Sequence, residues 1–236
     1  MSTSASGTKW PKTVPPLTPA QLAAREAWYV IWLERYHNHS VLDRFNTGFP
    51  ASLPLPANCR TLNIGPGIDQ KLGTEEIGRQ EYHVLELREE FCKRLTELLP
   101  ADRVHLGNIE QRQAFPDGSF DRVIAIHVLE HLPNLPAALD EISRLLTPDG
   151  VLDVVLPCEG GFVYSLARRV SSKRLFEKEF KMSYDPIIRS EHVSQLWEVE
   201  EELFKRFRVD TARHYPFRVP TDAINIFVGY RMKKNA

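Results

Sequence analysis

The sequence predicts an α/β fold in which a mostly parallel sheet is covered by helices on both faces. Two observations carry this. From Cys59 to Leu156 short, nearly continuous apolar runs alternate with stretches of helical periodicity, and strands apolar on both sides belong to parallel sheets buried on both faces. The first run ends in a glycine turn, Gly65-Pro66-Gly67, and the second ends in a carboxylate, Glu86. Open α/β sheets hold ligands at such strand ends.

In chain order, residues 1–17 are rich in Ser, Thr, Lys and Pro and read as a mobile tail. Thr18 then has the form of an N-cap, Pro19 takes the first helical position and Gln21 closes a capping box. Leu22, Tyr29, Trp32, Leu33 and Tyr36 share one helical face, an aromatic stripe fit for packing and, over the mouth of a sheet, for ligand contact. Residues 18–58 are thus expected to form an N-terminal helical cap, with the main domain over 59–236. Strands are expected at Thr61–Ile64, Tyr82–Leu87, Val104–Leu106, Arg122–Ile126 and Val151–Leu156, and helices near Glu89–Leu99 and Pro136–Leu146. The stretch after the glycine turn is a poor helix, because Gly73 and Gly78 each cost roughly 1 kcal/mol relative to Ala. Residues 158–190 break the rhythm. A helix near Val193–Arg206 and strand-like runs at Arg208–Ala212 and Asn225–Arg231 complete the chain.

Composition narrows the classes. A chain of 236 residues, 42% hydrophobic, can bury one sizeable core. Its net charge of −1 gives no global pull toward nucleic acid or an anionic membrane. Apolar runs such as Val123–Ile126 and Val151–Leu156 are too short to span a bilayer, and the N-terminus lacks the basic segment and apolar core of a signal peptide. Cys59, Cys92 and Cys158 are odd in number and widely spaced, fitting neither a disulfide framework nor a zinc site. Reduced thiols in a cytoplasmic protein are expected.

The chemistry begins at the glycine turn. Glycines let backbone approach a ligand, and an acid at the end of the next strand accepts both hydroxyls of an adenosine-type ribose. The dinucleotide pattern G-x-G-x-x-G fails at Gln70. Then follow Gly107-Asn108-Ile109-Glu110, the stretch from Ala114 to Asp121, His127-Val128-Leu129-Glu130-His131-Leu132 and the stretch from Arg144 to Gly150.

In this order, over about residues 60–157, the motifs resemble class I S-adenosylmethionine-dependent methyltransferases, in particular the group that includes the ubiquinone and menaquinone biosynthesis enzymes. The resemblance implies a Rossmann-like fold with a seven-stranded, mostly parallel sheet. It implies S-adenosyl-L-methionine as cofactor, methyl transfer to oxygen or nitrogen of a small-molecule acceptor, and a substrate-side insertion near 158–190. It places Asn63 where the family usually carries an acid, Gly65, Pro66 and Gly67 along the cofactor, and Asp69 beside its methionine portion in place of a third glycine. Glu86 would accept the ribose hydroxyls, Leu87 would lie beside the adenine, Asn108 would read the adenine amino group and Ile109 would pack on the ring.

His127, Glu130 and His131 are spaced i, i+3, i+4. The inverted zinc-protease motif has this form but needs a substantial helix, which a strand ending at Ile126 and the nearby Pro133 oppose. Some quinone-pathway O-methyltransferases carry a Glu-x-x-Glu-His metal site here; His127 replaces the first Glu, and no metal is expected. His127 and His131 stand as candidate bases or orienting residues, and His131 alternatively braces the turn through a backbone hydrogen bond. Ser190 to Val193 reads as a helix start, from which His192 could face the cleft. Tyr164, Arg168, Arg169, Lys173, Arg174, Phe176, Lys178 and Phe180 form either a solvated surface or a lid over an anionic or aromatic acceptor. The alternative function is a non-catalytic S-adenosylmethionine- or nucleoside-binding protein. An RNA or protein methyltransferase is opposed by the missing Asn-Pro-Pro-Tyr-type motif and basic charge.

Overall fold

The computed structural model describes residues 9–32, 41–56, 58–67 and 75–235. Its sheet has seven strands in the order β3-β2-β1-β4-β5-β7-β6. They are β1 Arg60–Ile64, β2 Glu81–Glu86, β3 Val104–Leu106, β4 Phe120–Ile126, β5 Leu146–Pro157, β6 Phe207–Tyr215 and β7 Phe227–Lys234. Strands β1 to β5 pair in parallel, and β7 runs antiparallel to both β5 and β6. The last strands run longer than hydrophobicity suggested, because β6 is an edge with Arg208, Val209 and Asp210 exposed.

The helices are α1 Pro19–Trp32, α2 Val41–Ala51, α3 Glu89–Leu95, α4 Leu135–Leu145, α5 Phe162–Arg168, α6 Arg174–Phe180, α7 Asp185–Glu191 and α8 Leu196–Arg206, with a π-helical turn, Arg169–Lys173, between α5 and α6. Alternate strand residues go to opposite faces. Leu62, Ile64, Val123, Ala125, Leu152 and Val154 pack with Leu139 and Ile142 of α4 and Val199 and Leu203 of α8. Tyr82, Val84, Ile124, Ile126 and Val155 pack with Phe45 and Phe49 of α2 and Leu95 of α3. Each fully buried side chain of this kind contributes about 1.5–3 kcal/mol. Among the described residues no helix is long and apolar enough to cross a membrane. Cys59, Cys92 and Cys158 are free and buried, and burial pushes the Cys158 thiol up to about 12.

Four expectations need correction. The tail is anchored from residue 9. Lys12 donates its backbone N–H to the Pro133 carbonyl at 2.8 Å, its ammonium pairs with Glu198 at 2.7 Å, and Trp10 packs against the core; residues 1–8 lie outside the described residues.

The capping box at Thr18 is present, with Thr18 N–H on Gln21 Oε1 at 2.9 Å and Gln21 N–H on Thr18 Oγ1 at 3.3 Å. The buried face of α1 is nevertheless Ala24 and Trp28, while Leu22 is 41% exposed. Trp28 decides this by meeting the rings of Phe176, Phe180 and Tyr184 at 5.6–6.4 Å. Leu33 and Tyr36 lie outside the described residues.

The cap expected over 18–58 divides. α1 joins the helices of 162–191 in a small separate core, whereas α2 lies on the sheet. There a Cβ at Gly229 would stand 2.5 Å from Phe49 Cδ1.

Ser190 and Glu191 end α7, so the segment from Ser190 to Val193 starts no helix; the next begins at Leu196 under a capping box of Gln195 and Glu198. The region 158–190 is mostly helical, but α5, α6 and α7 have only 7 residues each, too few to display a period.

A charged cluster sits inside the sheet. Arg122, fully buried, donates from Nε to Asp153 Oδ2 at 2.6 Å, from Nη1 to Glu75 at 2.7 Å and from Nη2 to the Pro50 carbonyl at 2.8 Å. Arg231 donates twice to Asp153 at 2.7 Å and once to the Pro54 carbonyl at 2.7 Å. The cluster ties the end of α2 and the chain after it to β4, β5 and β7.

Candidate functional site

Ile64 pairs with Leu85 and Ala125, and Ile126 with Val155, so β1, β2, β4 and β5 end along one edge. β1 hands over there to Gly65 and Gly67, both left-handed with φ of 59° and 67°. A Cβ at Gly65 would meet Val128 Cγ2 at 2.9 Å, so both conformation and space call for glycine. Gly67 donates its N–H to Glu86 Oε2 at 3.1 Å, while Glu86 Oε1 accepts from Leu87 N–H at 2.8 Å and Arg88 N–H at 3.1 Å. The buried Glu86 carboxylate thus holds the glycine turn against β2. Leu87 stands at the rim, 65% exposed. α1 forms a wall beside the turn: Tyr29 stacks on Phe91 at 5.5 Å, and the Arg88 guanidinium lies 4.5 Å from the Tyr29 ring and pairs with Glu26 at 3.0 Å.

The other cofactor-side candidates take distinct positions. Asn63 is buried behind the turn and donates from Nδ2 to the Tyr82 hydroxyl at 3.0 Å. Asp69 lies outside the described residues. Asn108 closes its own turn, accepting from Glu110 N–H at 2.9 Å and donating to Glu110 Oε2 at 3.3 Å. Ile109 is 4% exposed and belongs to the main core with Leu85.

The histidines gather on the other side of the turn. His127 follows β4 in the left-handed region, φ 53°, with its N–H on the Val155 carbonyl at 3.0 Å. Its Nδ1 lies 3.3 Å from Glu130 Oε1, and its ring meets Phe227 at 4.9 Å. Leu129–His131 is a single 3₁₀ turn, so the spacing is closed by a tight turn and the protease helix is absent at this position. His131 donates from Nδ1 to the Glu191 carbonyl at 2.8 Å, the brace foreseen for it, and its ring meets that of His192 at 4.8 Å. His192 Nδ1 lies 2.9 Å from Glu159 Oε2, and Glu159 also accepts from Arg168. Sequence reasoning missed Glu159, which has no motif around it. Among the described residues no three His, Cys, Asp or Glu side chains converge as a metal site requires.

Burial raises the Glu130 carboxyl, but the His127 hydrogen bond and the charges of His131, His127 and His192 outweigh it and bring the value to about 2. Burial pushes His131 down to about 4 against the pull of Glu130. Burial also works against charge on His192 and Glu159, yet their mutual hydrogen bond and neighbouring charges raise the first above 6.5 and lower the second below 4.5.

This pair has a pH signature. A raised His contributes fully below its unfolded value and loses the contribution as pH climbs through the folded one; a lowered Glu contributes fully above its unfolded value and loses it as pH falls. The stability difference between wild type and His192→Gln is expected to be largest at about pH 5–6 and to shrink on either side. Melting temperatures across pH would check this, and a difference constant with pH would contradict it.

The turn lies where strand order reverses, between β1 and β4, the switch point at which such sheets bind ligands. Fold and strand order together define a Rossmann-like α/β protein. Residues 62–154 match the family described as "Methyltransferase domain". It is 31% identical over 106 residues to the 2-methyl-6-phytyl-1,4-hydroquinone methyltransferase of Synechocystis, a stretch covering 42% of this chain and 32% of that protein. The match therefore spans about a third of the curated relative's length. In fold the chain is similar to the PH0226 protein of Pyrococcus horikoshii (TM-score 0.64, 16% identity, 89% of this chain and 99% of that one). It is likewise similar to the N-methyltransferase NodS of Bradyrhizobium japonicum in complex with S-adenosyl-L-homocysteine (TM-score 0.60, 13% identity, 90% and 99%).

Proposed function

We propose that the protein transfers the methyl group of S-adenosyl-L-methionine to an oxygen or nitrogen of a small-molecule acceptor. The observation that carries this is the buried Glu86 carboxylate gripping the Gly67 N–H at the switch point, inside the segment that matches the methyltransferase family. The donor set fits the cofactor. An ionised carboxylate only accepts hydrogen bonds, and Glu86 already takes N–H donors that two ribose hydroxyls resemble. Gly65, Pro66 and Gly67 would line the cofactor, with Asn63 behind the turn, Leu87 and Asn108 on the adenine side, and Ile109 supporting from the core.

When bound, the cofactor supplies a methyl on a positively charged sulfur that is its own leaving group. The chain then has to position the acceptor, exclude water and receive a proton where the acceptor is a hydroxyl. His127 is suited to that proton, because the Glu130 carboxylate beside its Nδ1 stabilises the imidazolium. His131 fixes the turn, and His192, Glu159 and Arg168 form a wall next to it on which a polar acceptor group could be oriented.

Calorimetry tests the reading. S-adenosylmethionine and its demethylated product are expected to bind and NADH is not, and Glu86→Ala should weaken binding by about 1.5–3 kcal/mol, the scale for hydrogen bonds to a charged group. Preferred NADH binding, or an unaffected Glu86 variant, would sink the assignment. Labelled cofactor with phenolic, sugar and carboxylate acceptors would then identify the second substrate.

A further inference from the structure

The helix that carries Tyr164 and Arg168 toward the histidines turns a different face to solvent. Phe162, Leu166 and Val170 follow one another at helical spacing and are 72%, 49% and 63% exposed. The β6–β7 loop abuts the start of this helix, with Val163 N–H on the Ala223 carbonyl at 3.2 Å. That loop exposes Phe217, Val219 and Ile224. Single exposed apolar residues are ordinary, whereas a contiguous group marks an interaction surface. Pro157 pairs with Phe227 and Phe227 with Tyr215, so both segments lie at the same sheet edge as the glycine turn and His127.

Basic residues outnumber acids around these side chains, with Asp222 the acid that the β6–β7 loop itself carries. From Gly160 to Phe176 the chain carries Arg168, Arg169, Lys173 and Arg174 and no acid. Beside the β6–β7 loop, a cavity of about 450 Å³ is lined by Ala212, Arg213, His214, Arg218 and Pro220, again with no acid. Arg168 and Lys173 are paired with Glu159 and Asp185. Arg169, Arg174, Arg213 and Arg218 have no carboxylate partner among the described residues. A chain of net charge −1 thus concentrates unneutralised arginines around its exposed apolar side chains.

We propose that this face docks on an anionic lipid surface. Arg213 and Arg218 take phosphate head groups in the cavity between them, and Phe162, Leu166, Val170, Phe217 and Val219 enter the interface. Apolar tips ringed by arginines match a phosphate layer above acyl chains, and that charge complementarity selects the occupant. Docked this way, the candidate site faces the membrane and could take an apolar acceptor from it; this last consequence, unlike the docking, rests on the methyl-transfer reading.

Co-sedimentation of the full chain with vesicles of phosphatidylcholine, and of phosphatidylcholine mixed with phosphatidylglycerol, tests the docking without reference to activity. The protein is expected to bind the mixed vesicles, to bind phosphatidylcholine alone much more weakly, and to be released by salt. Replacing Arg213 and Arg218 together by alanine should weaken binding roughly 30-fold, the factor for two basic residues at an anionic surface. Phe162→Ser with Phe217→Ser should weaken it as well, with an unchanged melting temperature because both side chains are exposed. Equal affinity for the two vesicles, or none for either, overturns the proposal. So does inorganic phosphate binding at Arg213 and Arg218 without vesicle binding. Concentration-dependent self-association abolished by the Phe variants would assign the face to a second copy of the chain and overturn it too.

Discussion

Replacing His127 by alanine is expected to lower turnover by about 10²–10⁴-fold on a hydroxyl acceptor, the range for loss of a general base, with cofactor affinity nearly unchanged. The imidazole is placed by three features: the end of β4, the left-handed backbone at φ 53° and the Glu130 carboxylate 3.3 Å from Nδ1. Alanine in the left-handed region also costs roughly 1–2 kcal/mol of backbone strain, so His127→Asn belongs beside it. Asparagine adopts that conformation readily but cannot serve as a base near neutral pH. Equal losses in both variants would point to proton transfer. A loss in alanine alone would mean that the backbone was disturbed, and an unaffected rate in both would remove His127 from the reaction.

Asp153→Ala is expected to destabilise the fold by about 3–5 kcal/mol, the range for breaking a buried ion pair from one side. Asp153 is fully buried and is the shared acceptor of Arg122 and Arg231. Its removal leaves two guanidinium groups inside the sheet with Glu75 as the one compensating carboxylate among the described residues. Urea unfolding would measure the loss. Replacing both arginines by methionine in the same variant should recover much of it, because apolar side chains of similar volume often substitute for a buried charge cluster without loss. A destabilisation under about 1 kcal/mol would show that water reaches the cluster.

How far the sequence could be read follows from how local each signal is. The glycine turn, Glu86 and the β1, β2 and β4 strands were legible because backbone geometry and strand hydrophobicity are written within a few adjacent residues. The Thr18 capping box was legible for the same reason. The buried face of α1 was not legible, because one helical position separates the face of Tyr29 from that of Trp28, and the rings of Phe176, Phe180 and Tyr184 decide which is buried. Glu159 could not be found, since its significance depends on His192, 33 residues away. Arg122 and Asp153 were passed over inside apolar runs, where a charge reads as an interruption until its partner on the neighbouring strand is known.

The anchored N-terminal segment has a consequence for how the site can open. Lys12 is clamped to Glu198 at 2.7 Å, and α1 begins at Pro19. A chain spans at most about 3.6 Å per residue, so this stretch is a leash of roughly 25 Å between α8 and the helix beside the glycine turn. Any excursion of α1 that uncovers the turn stays within that radius. Its return is an intramolecular encounter at an effective concentration in the millimolar range, so Tyr29 and Arg88 come back together by recapture and not by a diffusional search.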